Sequence, residues 1–204
     1  MQKEKLYGKT LGDLIAVSER IGLPAFAAKQ IADWLYKKDV DSIEGMTNLS
    51  KKARELLSVD YVYGLSAPIS FSASTDGTKK YLFNVLKNKY IETAYIPDND
   101  RATICVSSQA GCKMGCIFCM TGKQGFQGNL TTNEILNQFR SLPEFSNLTN
   151  MVFMGMGEPL DNISEVLKSL EILTGEWGYG WSPTRITVST VGLITGIKDF
   201  LEKS

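Results

Sequence analysis

Four cysteines are the only thiols in this 204-residue chain, and all of them, Cys105, Cys112, Cys116 and Cys119, lie in one short stretch. The last three stand as CxxxCxxC inside GCKMGCIFCMTGKQGF. A glycine-bearing loop can turn three thiolates toward one point, and both zinc and iron–sulfur clusters accept such ligands. Structural zinc is closed by four ligands, whereas three thiolates on a four-iron cluster leave one iron open for chemistry. A zinc knuckle that recruits Cys105 as a fourth thiolate is the alternative, and the strand-like run around Cys105 counts against it. A disulfide framework is a poor reason for the clustering. The rest of the chain holds no partner cysteine, and the polar start MQKEKLYGKT does not read as a secretory signal.

The chain contains no histidine, which removes Ser-His-Asp and Cys-His catalysis, the HExxH metalloprotease helix and histidine-bearing zinc sites together. With 43% hydrophobic and 22% charged residues it has the composition of a folded globular protein. No run of about 18 apolar residues occurs, so no membrane span is expected and the protein reads as cytoplasmic. The 22 basic and 22 acidic side chains balance to zero, so composition alone does not announce a nucleic-acid partner. Locally, residues 1–54 carry ten basic and seven acidic side chains, with Lys37-Lys38 and Lys51-Lys52-Arg54 as candidate phosphate contacts. A solvated helix face is the commoner meaning of such charges, and Trp34, Tyr36 and Phe26 read as core.

The elements that must position the thiols follow from periodicity. Residues 1–60 read as a helical module: LGDLIAVSERIG, PAFAAKQIADWLYKK, and LSKKARELLS after Asn48. Residues 61–100 read as a β-meander connector, with Asp76-Gly77 turning SFSAST into KKYLFNVL and a second turn near Asn88. From 101 to 204 the order becomes strand ATICVSS, helix TTNEILNQFRSL, strand NMVFMGMG, helix ISEVLKSLEILT, strand RITVSTVG and helix GIKDFLEK. Thr131 with Glu134, and Asn162 with Glu165, have capping-box spacing at two of those helix starts. Three consecutive βα units predict an α/β fold with parallel strands and right-handed crossovers. Because a closed barrel needs more strands, the sequence is expected to be the N-terminal, truncated part of a longer protein.

The cysteine loop ending in Phe118-Cys119, followed after a strand by Gly157-Glu158-Pro159, resembles the radical S-adenosylmethionine (SAM) enzymes. Within them CVSSQAGC, FCMTGKQGF, MGMGEPL and RITVSTVG, with AKQIADWLY and MTNLS nearer the N-terminus, resemble the RlmN/Cfr family of RNA methyltransferases. The GEP and KQGF forms favour its adenosine C2 branch over the C8 branch. That resemblance implies a partial (βα)6 barrel. It also implies that Cys112, Cys116 and Cys119 bind a [4Fe-4S] cluster that carries SAM, two SAM being used per turnover. Gly157 and Glu158 would then contact the methionine part of SAM, where glycine lets backbone approach and a carboxylate can meet an ammonium group. Ser189 would be a further SAM contact.

By the same resemblance Cys105 resolves a covalent enzyme–RNA adduct. It would leave a transient disulfide with a later cysteine that carries the methyl group. Glu92, in YIETAYIP, would be a proton acceptor, a role open to carboxylates in a histidine-free chain. The partners implied are ribosomal RNA and transfer RNA, held in part by the N-terminal module, and an electron donor such as flavodoxin. The resemblance implies a monomer with no membrane association.

Overall fold

The computed structural model describes residues 3–203; Met1, Gln2 and Ser204, the outermost residues of the expected helical and barrel segments, lie outside them. The chain divides into two compact units, residues 1–65 with 170–181, and residues 66–169 with 182–204.

In the first unit β1 (Glu4–Lys5) leads into α1 (Leu11–Arg20), α2 (Phe26–Tyr36) and α3 (Lys51–Asp60), and pairs in parallel with β2 (Tyr61–Val62). Thr10 starts α1 with a capping box. Its hydroxyl accepts from the Asp13 N–H at 3.2 Å, and the Asp13 carboxylate accepts from the Thr10 N–H at 3.0 Å. α3 begins after Ser50, whose hydroxyl accepts from the Ala53 N–H, so Leu49 stays outside the helix and packs as a buried residue.

The inward stripe of α2 is Ala27, Ala28, Ile31, Ala32, Leu35 and Tyr36. It puts Tyr36 in the core, where its ring meets Tyr7 and Tyr179, and leaves Trp34 half-buried with its indole N–H donated to Asn48. Phe26 is 63% exposed, contrary to its expected place in the core. The stripe of an amphipathic helix recurs every three to four residues, and here it starts one position after Phe26.

In the second unit β3 (Ser70–Ala73), β4 (Lys79–Val85) and β5 (Lys89–Asp98) form the antiparallel meander. Asp76 closes the first turn by accepting from the Thr78 N–H at 2.9 Å, and Leu86, Lys87 and Asn88 make the second with left-handed backbone. β5 runs antiparallel onto β6 (Arg101–Cys105). After β6 come β7 (Gln109–Ala110), α4 (Met120–Lys123), β8 (Gly128–Asn129), α5 (Thr132–Arg140), β9 (Asn150–Phe153), α6 (Ile163–Thr174), β10 (Ile186–Val188) and α7 (Ile194–Lys203).

β6 pairs in parallel with β9, and β9 with β10, giving one six-stranded sheet in the order β10-β9-β6-β5-β4-β3. This is the mixed α/β arrangement with three consecutive βα units. The ladders are shorter than the apolar runs that announce them, because the Ser- and Gly-rich ends of those runs leave the sheet as loops.

Two helix starts with the same spacing behave differently. Thr131 and Glu134 form the expected box. Asn162 and Glu165 do not: the Asn162 amide donates to the carbonyls of Ser108 at 2.9 Å and Leu130 at 2.8 Å. Glu165 instead accepts from the N–H and the hydroxyl of Thr132, both at 2.7 Å, and so caps the start of α5. Buried carbonyls and a neighbouring helix N-terminus outcompete the local box, since an unpaired buried polar group costs more than a lost surface cap.

Candidate functional site

Side chains alternate across a strand, so the register of the sheet decides which residues share a face. Ala94 of β5 stands opposite Cys105 of β6, which stands opposite Val152 of β9, which stands opposite Thr187 of β10. Glu92 lies two residues before Ala94 and therefore on the same face as Cys105. The intervening residues Ile91, Thr93, Ile104, Met151 and Phe153 form the buried face. Two of the expected site residues thus share the more open face of one sheet.

Cys105 is half-buried at the end of β6. Burial pushes its thiol above the ordinary value, only partly countered by a backbone hydrogen bond at Met154, so the group is a protonated thiol near neutral pH. Glu92 is exposed and sits 2.9 Å from the Lys80 ammonium. Its backbone carbonyl accepts from the Ser107 hydroxyl at 2.7 Å, which ties β5 to the segment leaving β6.

The remaining thiols sit in the excursion between β7 and β8, two short strands that pair antiparallel and clamp its base. Cys112, Cys116 and Cys119 are all half-buried, and between them Ile117 and Phe118 are 92% and 90% exposed. Backbone N–H groups of Gly122 and then Thr121 hold the Cys119 thiol below its ordinary value, a bias toward the thiolate that a metal would bind. The donor chemistry therefore fits an iron–sulfur cluster. The placement is open: among the described residues no three Cys, Asp or Glu side chains stand close enough together to hold a metal ion. All four cysteines are free, so the structure gives no support to the disulfide expected at Cys105. The partner thiol in that scheme is none of the other three, which belong to the loop.

Gly157 follows β9 with a φ of +99°, a conformation that L side chains rarely adopt. A Cβ there would lie 2.5 Å from the Gln109 Cβ and 2.7 Å from its backbone nitrogen. Glu158 is 3% exposed, and its carboxylate is occupied on both oxygens, by the Leu160 N–H at 3.0 Å and by the Val191 N–H at 3.0 Å. Ser189 directly follows β10 and is exposed.

Sequence reasoning missed the polar groups between these loops. Gln109 is fully buried, accepts from the Glu158 N–H at 2.9 Å, and donates to Asn129 at 2.8 Å and to Asp161 at 2.7 Å. Asp161 also meets the Lys113 ammonium at 2.8 Å, and that ammonium lies 4.3 Å from the centre of the Phe126 ring. Burial pushes the Asp161 carboxyl up, but Lys113 and Gln109 outweigh it and hold the group below its ordinary value.

Comparison with known proteins matches this arrangement. The family model described as the ribosomal RNA large subunit methyltransferase N-terminal domain matches residues 5–62, and that of the radical SAM superfamily matches residues 106–203. The probable dual-specificity RNA methyltransferase RlmN of Bacteroides fragilis (strain YCH46) is 61% identical over 204 residues, 100% of this chain and 59% of the relative. The protein of the same description from Bacteroides thetaiotaomicron is 60% identical over the same coverage. A crystal structure of a radical SAM methyltransferase from Sphaerobacter thermophilus superposes with a TM-score of 0.86 at 37% identity, covering 97% of this chain and 60% of that one. The chain spans about 59% of the length of these curated relatives. On the cysteine loop, the Gly157-Glu158 segment and these likenesses together, residues 5–62 match the ribosomal RNA large subunit methyltransferase N-terminal domain, residues 106–203 match the radical SAM superfamily, and the chain is similar along its length to proteins described as RlmN RNA methyltransferases.

Proposed function

We propose that this chain forms the cluster- and SAM-binding part of an enzyme that methylates C2 of adenosine in large-subunit ribosomal RNA and in transfer RNA. The observation that carries the reading is the CxxxCxxC loop after β6, set at the same end of the parallel strands as Gly157-Glu158 after β9 and Ser189 after β10. Barrel enzymes place their sites at that end of the strands. The names of the relatives, dual-specificity RNA methyltransferases, support an RNA substrate.

In this reading Cys112, Cys116 and Cys119 hold a [4Fe-4S] cluster that supplies, when bound, the electron for reductive cleavage of SAM. The chain's own part is to orient and enclose. Gly157 has no side chain to keep Gln109 away, and its left-handed backbone sets the course of the loop after β9. The Glu158 carboxylate accepts one amide on each oxygen, which fixes the two loops beside it, and its remaining lone pairs can meet the SAM ammonium group. Ser189, exposed at the end of β10, adds a hydroxyl. On the open sheet face the Cys105 thiol, once it has given up its proton, can act in resolving an adduct, and Glu92 with Lys80 beside it can accept a proton. Residues 1–60 serve as the RNA-holding module, residues 61–100 as the connector and residues 101–204 as the cofactor-binding part. The enzyme works as a cytoplasmic monomer supplied by an electron donor of the flavodoxin kind.

Anaerobic reconstitution tests this directly. The protein should turn brown and take up iron and sulfide at about four each per chain. A colourless protein holding one zinc ion would overturn the reading.

A further inference from the structure

Three loops at the carboxyl ends of β6, β9 and β10 are joined by a single line of hydrogen bonds, and one residue with no assigned role stands at its centre. The line starts on the cysteine loop, where Lys113 reaches Asp161 at 2.8 Å. Asp161 accepts from the Gln109 amide at 2.7 Å, and the Gln109 carbonyl oxygen accepts from the Glu158 N–H at 2.9 Å. The Glu158 carboxylate then takes the Val191 N–H at 3.0 Å, two residues beyond Ser189.

We infer that Gln109 is a positioning residue that sets the cysteine loop, the Gly157-Glu158 segment and the Ser189 loop in one mutual arrangement. Several observations bear on it. Gln109 is fully buried, and a buried amide is retained at low cost only when its donors and acceptor are all used. Here the two N–H donors go to Asn129 and Asp161 and the oxygen takes Glu158, with an orientation set by those partners. The Gln109 backbone N–H donates as well, to the Met156 carbonyl at 3.1 Å, so both main chain and side chain grip the same segment. Gly157 complements this, since any side chain there would occupy the space of the Gln109 Cβ and Cγ. Gln109 touches neither a thiol nor Ser189; it acts through Glu158 and Asp161.

The inference deepens the proposed cofactor site, yet it can be tested without a cofactor. Hydrogen exchange in the metal-free chain reads each amide separately, because an amide exchanges only when its own bond opens. In Gln109→Met, which keeps the length of the side chain and removes its hydrogen bonds, the Glu158 amide should exchange at least tenfold faster. The Val191 amide should follow it, although Val191 makes no bond to Gln109. Amides in the β4–β5 ladder should keep their parental rates, which separates loosened loops from a destabilised fold.

A role in local packing alone would leave Val191 unmoved, and parental exchange at Val191 in a folded Gln109→Met protein would overturn the inference. Should that variant fail to fold, Gln109→Glu supplies the test, because it preserves size and the acceptor for Glu158. Its new carboxylate faces Asp161, so protection at Glu158 and Val191 should be lost near neutral pH. Protection should return in mild acid, where the introduced carboxyl is protonated and can donate to Asp161; protection independent of pH would count against the inference. Failure to bind iron would bear on the proposed function and leave this result standing.

Discussion

The Glu158 carboxylate accepts the backbone N–H of Val191 at 3.0 Å while its other oxygen accepts that of Leu160, so one buried side chain joins the loop after β9 to the loop after β10. Removing an acceptor from a buried amide leaves that amide without water or partner, at a cost of about 1–3 kcal/mol. Glu158→Gln retains one acceptor oxygen and presents an NH2 group to the other amide. Urea unfolding should show a loss of about that size, and calorimetric titration should show SAM affinity falling roughly tenfold with the iron content of the protein unchanged. Parental SAM affinity would separate the Glu158 tie from cofactor binding.

Gly157 and Gly115 both have positive φ, +99° and +62°, but their surroundings differ. A Cβ at Gly115 meets nothing within 4 Å, whereas one at Gly157 collides with Gln109. Gly115→Ala should therefore cost only the left-handed backbone penalty, about 1–2 kcal/mol. Gly157→Ala adds overpacking of about 1–3 kcal/mol more, so its unfolding midpoint should be clearly the lower of the two. Equal midpoints would mean that the Gly157–Gln109 contact relaxes freely.

The thiols should be distinguishable by their pH response in the metal-free protein. Burial raises Cys105 and backbone N–H groups lower Cys119, on either side of an ordinary value near 9. The thiolate is the reacting form, so a lowered group reacts first as pH rises and a raised group last. Iodoacetamide labelling followed by peptide mass mapping should modify Cys119 well before Cys105 near neutral pH, with the gap narrowing as pH climbs past both values. Labelling of Cys105 first would contradict the burial read from β6.

How much of this was legible in sequence depends on the distance between partners. Helices α1 and α2, the turns at Asp76-Gly77 and Asn88, and the alternation of strands with helices all arise from neighbours a few residues apart, and periodicity displays them. The Thr131–Glu134 box was legible for the same reason. Asn162 and Glu165 have identical spacing, yet their partners are Ser108, Leu130 and Thr132, which no local pattern reveals. The cysteine loop and the Gly157-Glu158 turn could be picked out by residue type. Gln109 could not, since its partners lie 20, 49 and 52 positions away and a glutamine beside a strand reads as surface. Phe26 failed in the opposite sense, an aromatic residue just outside the stripe that the helix buries.

Glu144 gives the sheet an acid-sensitive tie. Its carboxylate accepts from the Lys79 ammonium at 2.6 Å and from the Tyr81 hydroxyl at 2.7 Å. Burial pushes the carboxyl up, but Lys79 and Tyr81 outweigh it, leaving the folded value below the ordinary 4.5. A carboxyl lowered in the folded state stabilises it above the unfolded value, and that stability is lost as pH falls through the folded value. Glu144→Gln should be less stable than the parent near neutral pH, and the two should converge as pH falls from the ordinary 4.5 through the lower folded value. Urea unfolding across that range checks this, and parallel curves would remove Glu144 from the acid response.

The two classes of cysteine should separate in a complete enzyme. Two thiolates hold a four-iron cluster poorly and the chain has no histidine to replace a third, so Cys116→Ala should lose the iron and the visible absorption. Cys105 lies on the sheet face rather than in the loop, so Cys105→Ala should keep both. On the roles proposed above, in which one thiol forms the adduct and Cys105 resolves it, turnover should nonetheless stop at the covalent enzyme–RNA adduct. A slowly migrating protein–RNA species on a denaturing gel should accumulate for Cys105→Ala and be absent for Cys116→Ala. Release of methylated RNA at the parental rate from Cys105→Ala would instead leave Cys105 as a small packing residue, its replacement costing only the cavity left by one sulfur.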